Sequence, residues 1–282
     1  MDLGDARTLR QTLRRHGVRA ATSLGQRFLV DRQVLGAIVG AAELGPAEDV
    51  LEVGPGPGVL TRALADLARS VTAVEIDERM VLLLRETLAD RPNARVVHAD
   101  ALAVDLFSVG GPPSRIVANL PYQITSPLLM RFLGDARRPP LVVVLVQEEV
   151  ARRMVADERA AGERGFLSVY VQSFSSPRIV RHVPASAFRP APKVRSAVVA
   201  MRTLARPRFS PLVQESFLRL VSDAFRHRRK QLRAALGHAA GIDRRRAGSA
   251  LASCGIDPRR RPEELRVDEW VALARALELP AA

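Results

Sequence analysis

The chain is expected to fold as an α/β protein: a largely parallel sheet flanked by helices, followed by a small helical domain. Three observations carry that expectation. From about residue 31 to 147, strand-like and helix-like segments alternate, as they must where helices connect parallel strands. The first strand–helix junction in this stretch carries three glycines, Gly54, Gly56 and Gly58, at alternate positions. After Arg202 convincing strands cease, and short helix-like segments broken by Gly and Pro run to the end.

The elements follow in order. DVLEVG (49–54) reads as a short buried strand and VLTRALADLA (59–68) has helical spacing. SVTAVEID (70–77) is a second strand, followed by the helical RMVLLLRETLAD. ARVVHAD (94–100), SRIVANL (114–120) and PLVVVLVQ (140–147) supply a third, fourth and fifth strand. Residues 148–160 have helical character, and LSVYVQSF (167–174) and SAVVAMR (196–202) read as two more strands around the proline-studded VPASAFRPAPKV. These segments divide the chain near residue 204, into 1–203 and 204–282.

Composition narrows the function. Hydrophobic residues make up 47% and charged residues 26%, the profile of a globular chain. No apolar run approaches the roughly 20 residues that span a bilayer. MDLGDARTLRQTLRRHG lacks the apolar core of a secretory signal. The single Cys254, expected to be buried and inert, rules out an internal disulfide and a cysteine-rich zinc site, and five scattered histidines support no other metal. These features fit a cytoplasmic protein without a membrane partner. Lys and Arg number 43 against 30 acids, a net +13 that is nearly all arginine, and residues 204–282 alone hold +7. Arginine forks onto phosphates and stacks on bases, so a polyanionic partner is expected; an arginine-rich codon bias is the bland alternative.

LEVGPGPGVLT (51–61) lets the backbone turn sharply and pass close to a ligand. Its spacing is not the G-x-G-x-x-G of a pyrophosphate cradle, and Pro55 and Pro57 remove two backbone donors a phosphate would use. Glu75, 21 residues after Gly54 at the end of the second strand, is suited to accept both ribose hydroxyls. Asp100 ends the third strand, within reach of an adenine amine. The combination favours a nucleoside without phosphates, S-adenosylmethionine being the obvious one. Asn119, Leu120, Pro121 and Tyr122 then end the fourth strand beside a sulfonium methyl donor. The Asn119 side-chain oxygen and the Leu120 carbonyl are placed to accept the N–H bonds of an adenine amine. Pro121 holds that carbonyl outward, and Tyr122 stacks on the flipped base.

Asn-(Leu/Ile)-Pro-Tyr after such a sheet resembles the adenine-N6 methyltransferases. With SLGQRFLVD, VLEVGPGPGVLT, VTAVEID, VVHADAL, VQEEVARRM, FRPAPKVRSAVV, FRHRRKQLRAAL and GIDPRRRPEELRVDEW, spanning 23–270, the chain resembles the ribosomal RNA adenine N6,N6-dimethyltransferases that act near the 3′ end of small-subunit rRNA. The resemblance implies a Rossmann-like S-adenosylmethionine-dependent methyltransferase sheet in 1–203, with a basic N-terminal arm, and an RNA-binding helical domain in 204–282. It implies a cofactor site at Arg27, Leu29, Gly54, Gly56, Glu75, Ile76, Asp100, Ala101 and Asn119, and places Phe188 opposite Tyr122 across the target base; the alternative for Phe188 is a core aromatic, against which proline on both sides favours a surface loop. The family usually has Asn or His where this chain has Arg27, which leaves two roles open: its backbone at the cofactor, or its side chain at phosphate. The implied partner is small-subunit rRNA in an immature 30S particle, bound by a monomer.

RNA contacts are expected from the basic N-terminal arm and from Arg226, Arg228, Arg229, Lys230 and Arg233, with 226, 229 and 233 forming a stripe on one helical face; the alternative is a solvated face. Three other readings stand beside the main one. They are a large-subunit methylase of the erythromycin-resistance type, a non-catalytic assembly factor, and a dehydrogenase, which the glycine spacing disfavours. Trp270 is expected to anchor the last helices.

Overall fold

The computed structural model describes residues 3, 5–18, 26–160, 162–210, 213–238 and 242–277; Ser23–Gly25 of SLGQRFLVD lie outside the described residues. The strands are β1 (Phe28–Leu29), β2 (Asp49–Val53), β3 (Ser70–Glu75), β4 (Ala94–His98), β5 (Arg115–Asn119), β6 (Leu141–Gln147), β7 (Ser175–Val183), β8 (Phe188–Arg189) and β9 (Ser196–Thr203). The helices are α1 (Ala6–Arg15), α2 (Arg32–Ala41), α3 (Val59–Ala65), α4 (Glu78–Thr87), α5 (Thr125–Gly134), α6 (Glu148–Val155), α7 (Phe166–Phe174), α8 (Gln214–Arg226), α9 (Leu232–Leu236), α10 (Arg244–Ser253) and α11 (Val267–Ala276).

Seven strands form one sheet in the order β4-β3-β2-β5-β6-β9-β7. The first five are parallel, and β9 runs antiparallel to β6. The runs Val71–Val74, Ile116–Ala118 and Leu141–Val146 are buried because helices cover both faces of a parallel sheet. The chain leaves β2 for β3 on one side and later returns as β5 on the other. The carboxyl ends of β2 and β5 therefore flank a topological switch point, where α/β sheets bind ligands. Caps set the helix starts: the Asp31 carboxylate accepts N–H bonds from Gln33 and Val34 at α2, and Asp77 accepts from Arg79 at α4.

Four expectations need correction. LSVYVQSF is helix α7, not a strand. A short apolar run bears either assignment, and here Ser168 Oγ accepts the Gly165 N–H while Ser173 Oγ donates to the Val169 carbonyl one turn back. Phe166, Tyr170 and Phe174, spaced four apart, stack along it at 5.9 and 4.9 Å. The strand follows it, in SSPRIVRHV.

The chain also divides differently. One compact unit holds 1–151 and 177–203; the other holds 152–176 and 204–282. A single cut at 204 misses the excursion of 152–176. Arg164, 1% exposed, explains where that segment belongs: it donates to the carbonyls of Ala156 and Leu265 and to Gln172 Oε1, all inside the second unit. Phe174, Phe209 and Phe217 continue that core, and Trp270 is fully buried there beside Phe225.

Residues 6–15 are not a free arm. They form α1, whose Leu9 joins Val18, Phe28, Met80 and Leu83 in a small core, and Arg15 and His16 pair with Glu86 at 2.9 and 2.6 Å. Cys254, at the end of α10, is half-buried rather than enclosed.

Candidate active site

A cavity of ≈ 320 Å³, at the lower end of the range for small-molecule sites, opens at the switch point of the first unit. Its lining brings together nearly every residue singled out for cofactor or base: Arg27, Leu29, Gly54, Gly56, Glu75, Ile76, Asp100, Ala101, Asn119, Leu120, Pro121 and Tyr122.

The glycine loop is built for close approach. Gly54 and Gly56 have φ of +72° and +54°. A Cβ at Gly56 would stand 3.3 Å from the Phe28 ring. The loop amides do not converge on an anion. Gly54 N–H donates to the Val74 carbonyl (2.9 Å), and Gly56 N–H donates to Glu75 Oε2 (3.1 Å).

Glu75 is 6% exposed. Its Oε1 accepts the N–H of Ile76 and of Asp77, both at 2.9 Å. Burial pushes its pKa upward, and the three backbone N–H bonds oppose that shift. Oε1 thereby has both lone pairs engaged, and Oε2, with the one Gly56 N–H, keeps capacity for a further donor. Asp100 lies two residues beyond β4, exposed, with Oδ1 accepting the Leu102 N–H at 2.8 Å. Ile76, 52% exposed, offers an apolar side chain at the cavity wall.

At the end of β5 the Asn119 amide donates through Nδ2 to the Arg27 carbonyl at 3.2 Å, which leaves Oδ1 without a partner among the described residues. Leu120 is anchored by its own N–H, which donates to the Leu145 carbonyl at 3.1 Å. Pro121 has φ −58° and ψ 130°, so the strand cannot continue, and Tyr122 opens a single 3₁₀ turn. The Tyr122 hydroxyl lies 2.8 Å from Ser196 Oγ, and burial raises its pKa.

A family model for ribosomal RNA adenine dimethylases matches residues 17–278. The chain belongs to that family. A curated relative from Moorella thermoacetica, named ribosomal RNA small subunit methyltransferase A, is 42% identical over 277 residues, covering 94% of this chain and 95% of its own. One of the same name from Geobacter metallireducens is 40% identical, covering 94% and 98%. Among solved structures, the 23S rRNA methyltransferase ErmE superposes with a TM-score of 0.69 at 33% identity, over 89% of this chain and all of its own. A dimethyladenosine transferase from Plasmodium falciparum reaches a TM-score of 0.77 at 24% identity, over 87% and 95%, and shares the fold.

The family's methyl donor is S-adenosylmethionine, and the cavity suits it. Glu52, Glu75 and Asp100 line it, and Arg27 is the one cation among the described residues that do. An acidic lining favours a ligand carrying positive sulfur. Neither Glu52 nor Ser196 was expected at the site. Glu52 hides within a strand that reads as apolar; its signal is a charge placed inside a buried run beside the glycine turn. It is 1% exposed, both carboxyl oxygens lack hydrogen-bond partners among the described residues, and burial raises its pKa to about 8.

Two expected sites differ. Phe188 is fully buried, packs in the core with Leu29 and Val198, and does not line the cavity. The cause is β8, which pairs antiparallel with β1, setting Phe188 opposite Leu29. The arginine stripe is not one helical face either. Helix α8 ends at Arg226, and α9 begins only at Leu232, after an extended Gln231. The Leu232 and Arg233 N–H groups turn away to the carbonyls of Arg260 and Pro258. Arg226, Arg228, Arg229, Lys230 and Arg233 are all exposed, and Arg226 pairs with Asp223 at 3.1 Å.

Proposed function

We propose that the protein transfers two methyl groups from S-adenosylmethionine to N6 of adjacent adenines near the 3′ end of small-subunit rRNA. It acts as a cytoplasmic monomer on immature 30S particles. The observation that carries this reading is the Asn119–Arg27 hydrogen bond, because it commits the amide nitrogen and leaves Oδ1 to accept from an adenine amine. Curated relatives at 37–42% identity are named for the small subunit, which favours that RNA over the target of ErmE.

When bound, the donor supplies an electrophilic methyl on positively charged sulfur. Glu75 accepts a ribose hydroxyl through Oε2, Asp100 the adenine amine, and the backbone around Arg27 and Leu29, with Gly54, Gly56, Ile76 and Ala101, completes the walls. Asn119 Oδ1 and the Leu120 carbonyl accept the two N–H bonds of the target amine. That draws its lone pair out of conjugation and toward the methyl. Tyr122, held by Ser196, stacks on the flipped base. The nitrogen becomes acidic once it carries the new methyl, so no strong base is needed, and rate comes mainly from alignment. The exposed arginines of residues 226–233 take phosphates.

The test is incubation with labelled S-adenosylmethionine and immature 30S or 50S particles. Label in 16S rRNA as dimethyladenosine supports the reading; label confined to the large-subunit RNA overturns it.

A further inference from the structure

Among the described side chains that line the cavity, Glu52 is the buried one left with no hydrogen bond. It stands near the carboxyl end of β2, immediately before the glycine turn, 1% exposed. Two groups face it. The Thr61 hydroxyl on α3 comes near enough to favour the ionised form without meeting hydrogen-bond geometry, and the Glu75 carboxylate on β3 adds like charge. Among the described residues no cation answers it. Buried carboxyls are otherwise paired or hydrogen-bonded, because leaving one unsatisfied costs several kcal/mol. Glu75, with three backbone N–H donors, has its partners already; Glu52 does not. What can supply the missing partner is a cation that enters the cavity.

Resting on the assignment of this cavity to the methyl donor, we propose that Glu52 is a proton-releasing counter-ion. It stands neutral until the positive charge of the donor arrives, then ionises against it. In that step the carboxyl O–H bond breaks, the proton passes to solvent, and the donor binds with its own bonds unchanged. Burial with no cation at hand, and with Glu75 close by, raises the Glu52 pKa to about 8, so the neutral form dominates near neutrality. Donor binding favours the ionised form. Between the two pKa values the free protein therefore holds one proton more than the complex, and donor affinity rises with pH.

The experiment is isothermal titration of the full chain with S-adenosylmethionine at pH 6 to 7, in paired buffers of different ionisation enthalpy. That range lies below the titration of the donor's own α-amino group, at roughly 7.7–8. The wild-type protein should release close to one proton per donor, and its Kd should tighten by nearly tenfold from pH 6 to pH 7. Glu52→Gln, which keeps the shape of the neutral acid, should release none, show a flat Kd, and bind more weakly than wild type at pH 7. Wild-type binding with buffer-independent heats and a flat Kd would overturn the proposal while leaving the donor site standing. So would an equal release from Glu52→Gln. If that variant fails to fold, the wild-type titration decides alone. No donor binding at all would remove the cavity assignment and this proposal together.

Discussion

The Tyr122 hydroxyl and Ser196 Oγ stand 2.8 Å apart, joining the end of β5 to the first residue of β9. A ring tethered at its hydroxyl can swing little, so the stacking face is set before a base arrives. Tyr122→Phe and Ser196→Ala should each weaken that tether by about 1 kcal/mol and lower single-turnover methylation several-fold. Tyr122→Ala removes the platform itself. It should cost about 1–3 kcal/mol in binding the target base, with the donor Kd unchanged. Quenched-flow methylation and donor titration on the three variants separate these outcomes; equal loss in all three would refute the tether.

Asn119 carries the polar part of the same argument. Asn119→Ala deletes both the acceptor for the amine and the donor to the Arg27 carbonyl. Loss of one such transition-state hydrogen bond should lower kcat by about 10²–10³. Melting temperature should move little, since Asn119 is only half-buried. Asn119→Asp keeps an acceptor but cannot donate to Arg27, so it should recover little activity. Recovery to wild-type rates would show that the Arg27 link does not matter.

Much of this was legible beforehand, and the reasons are local. Buried parallel strands appear as unbroken apolar runs, so Val71–Val74, Ile116–Ala118 and Leu141–Val146 announced the sheet. Positions 54–58 and 119–122 carry residue types that few backbones tolerate, which marks a turn at a ligand and a strand that must end. What stayed hidden depends on distant partners. Nothing within LSVYVQSF distinguishes a buried helix from a buried strand. Arg164 reads as one surface arginine among many until the Leu265 carbonyl, about a hundred residues on, is seen to accept from it. Phe188 reads as a loop aromatic until β1 pairs with β8. Residues 226–233 have helical spacing, and only the Leu232 N–H to Arg260 carbonyl bond shows why the helix stops.

Glu52 should also shape stability. Its folded pKa, about 8, lies above the ordinary 4.5, so between those values the folded state binds the extra proton and stability falls as pH rises. Glu52→Gln cannot ionise and loses that slope. At pH 8 it should be more stable than wild type by roughly 4 kcal/mol, and at pH 5 by less than about 1 kcal/mol. Denaturant midpoints at the two pH values check this; a parallel pH slope in both proteins would mean that Glu52 is ionised in the folded chain.

Arg164 tests what holds the second unit together. Its guanidinium spans the carbonyls of Ala156 and Leu265 and the Gln172 side chain, and burial lowers its pKa against the opposing charges of Glu158 and Asp157. Arg164→Met fills much of the volume but leaves the Leu265 carbonyl and Gln172 Oε1 without this donor, while the Ala156 carbonyl keeps Gln172 Nε2. Each such loss costs about 1–3 kcal/mol, so unfolding should begin in this unit at lower temperature or denaturant. Hydrogen exchange should then show faster opening of residues 152–176 and 262–277, with β2, β3 and β5 protected as before. Uniform loss of protection across both units would instead mean that they unfold as one.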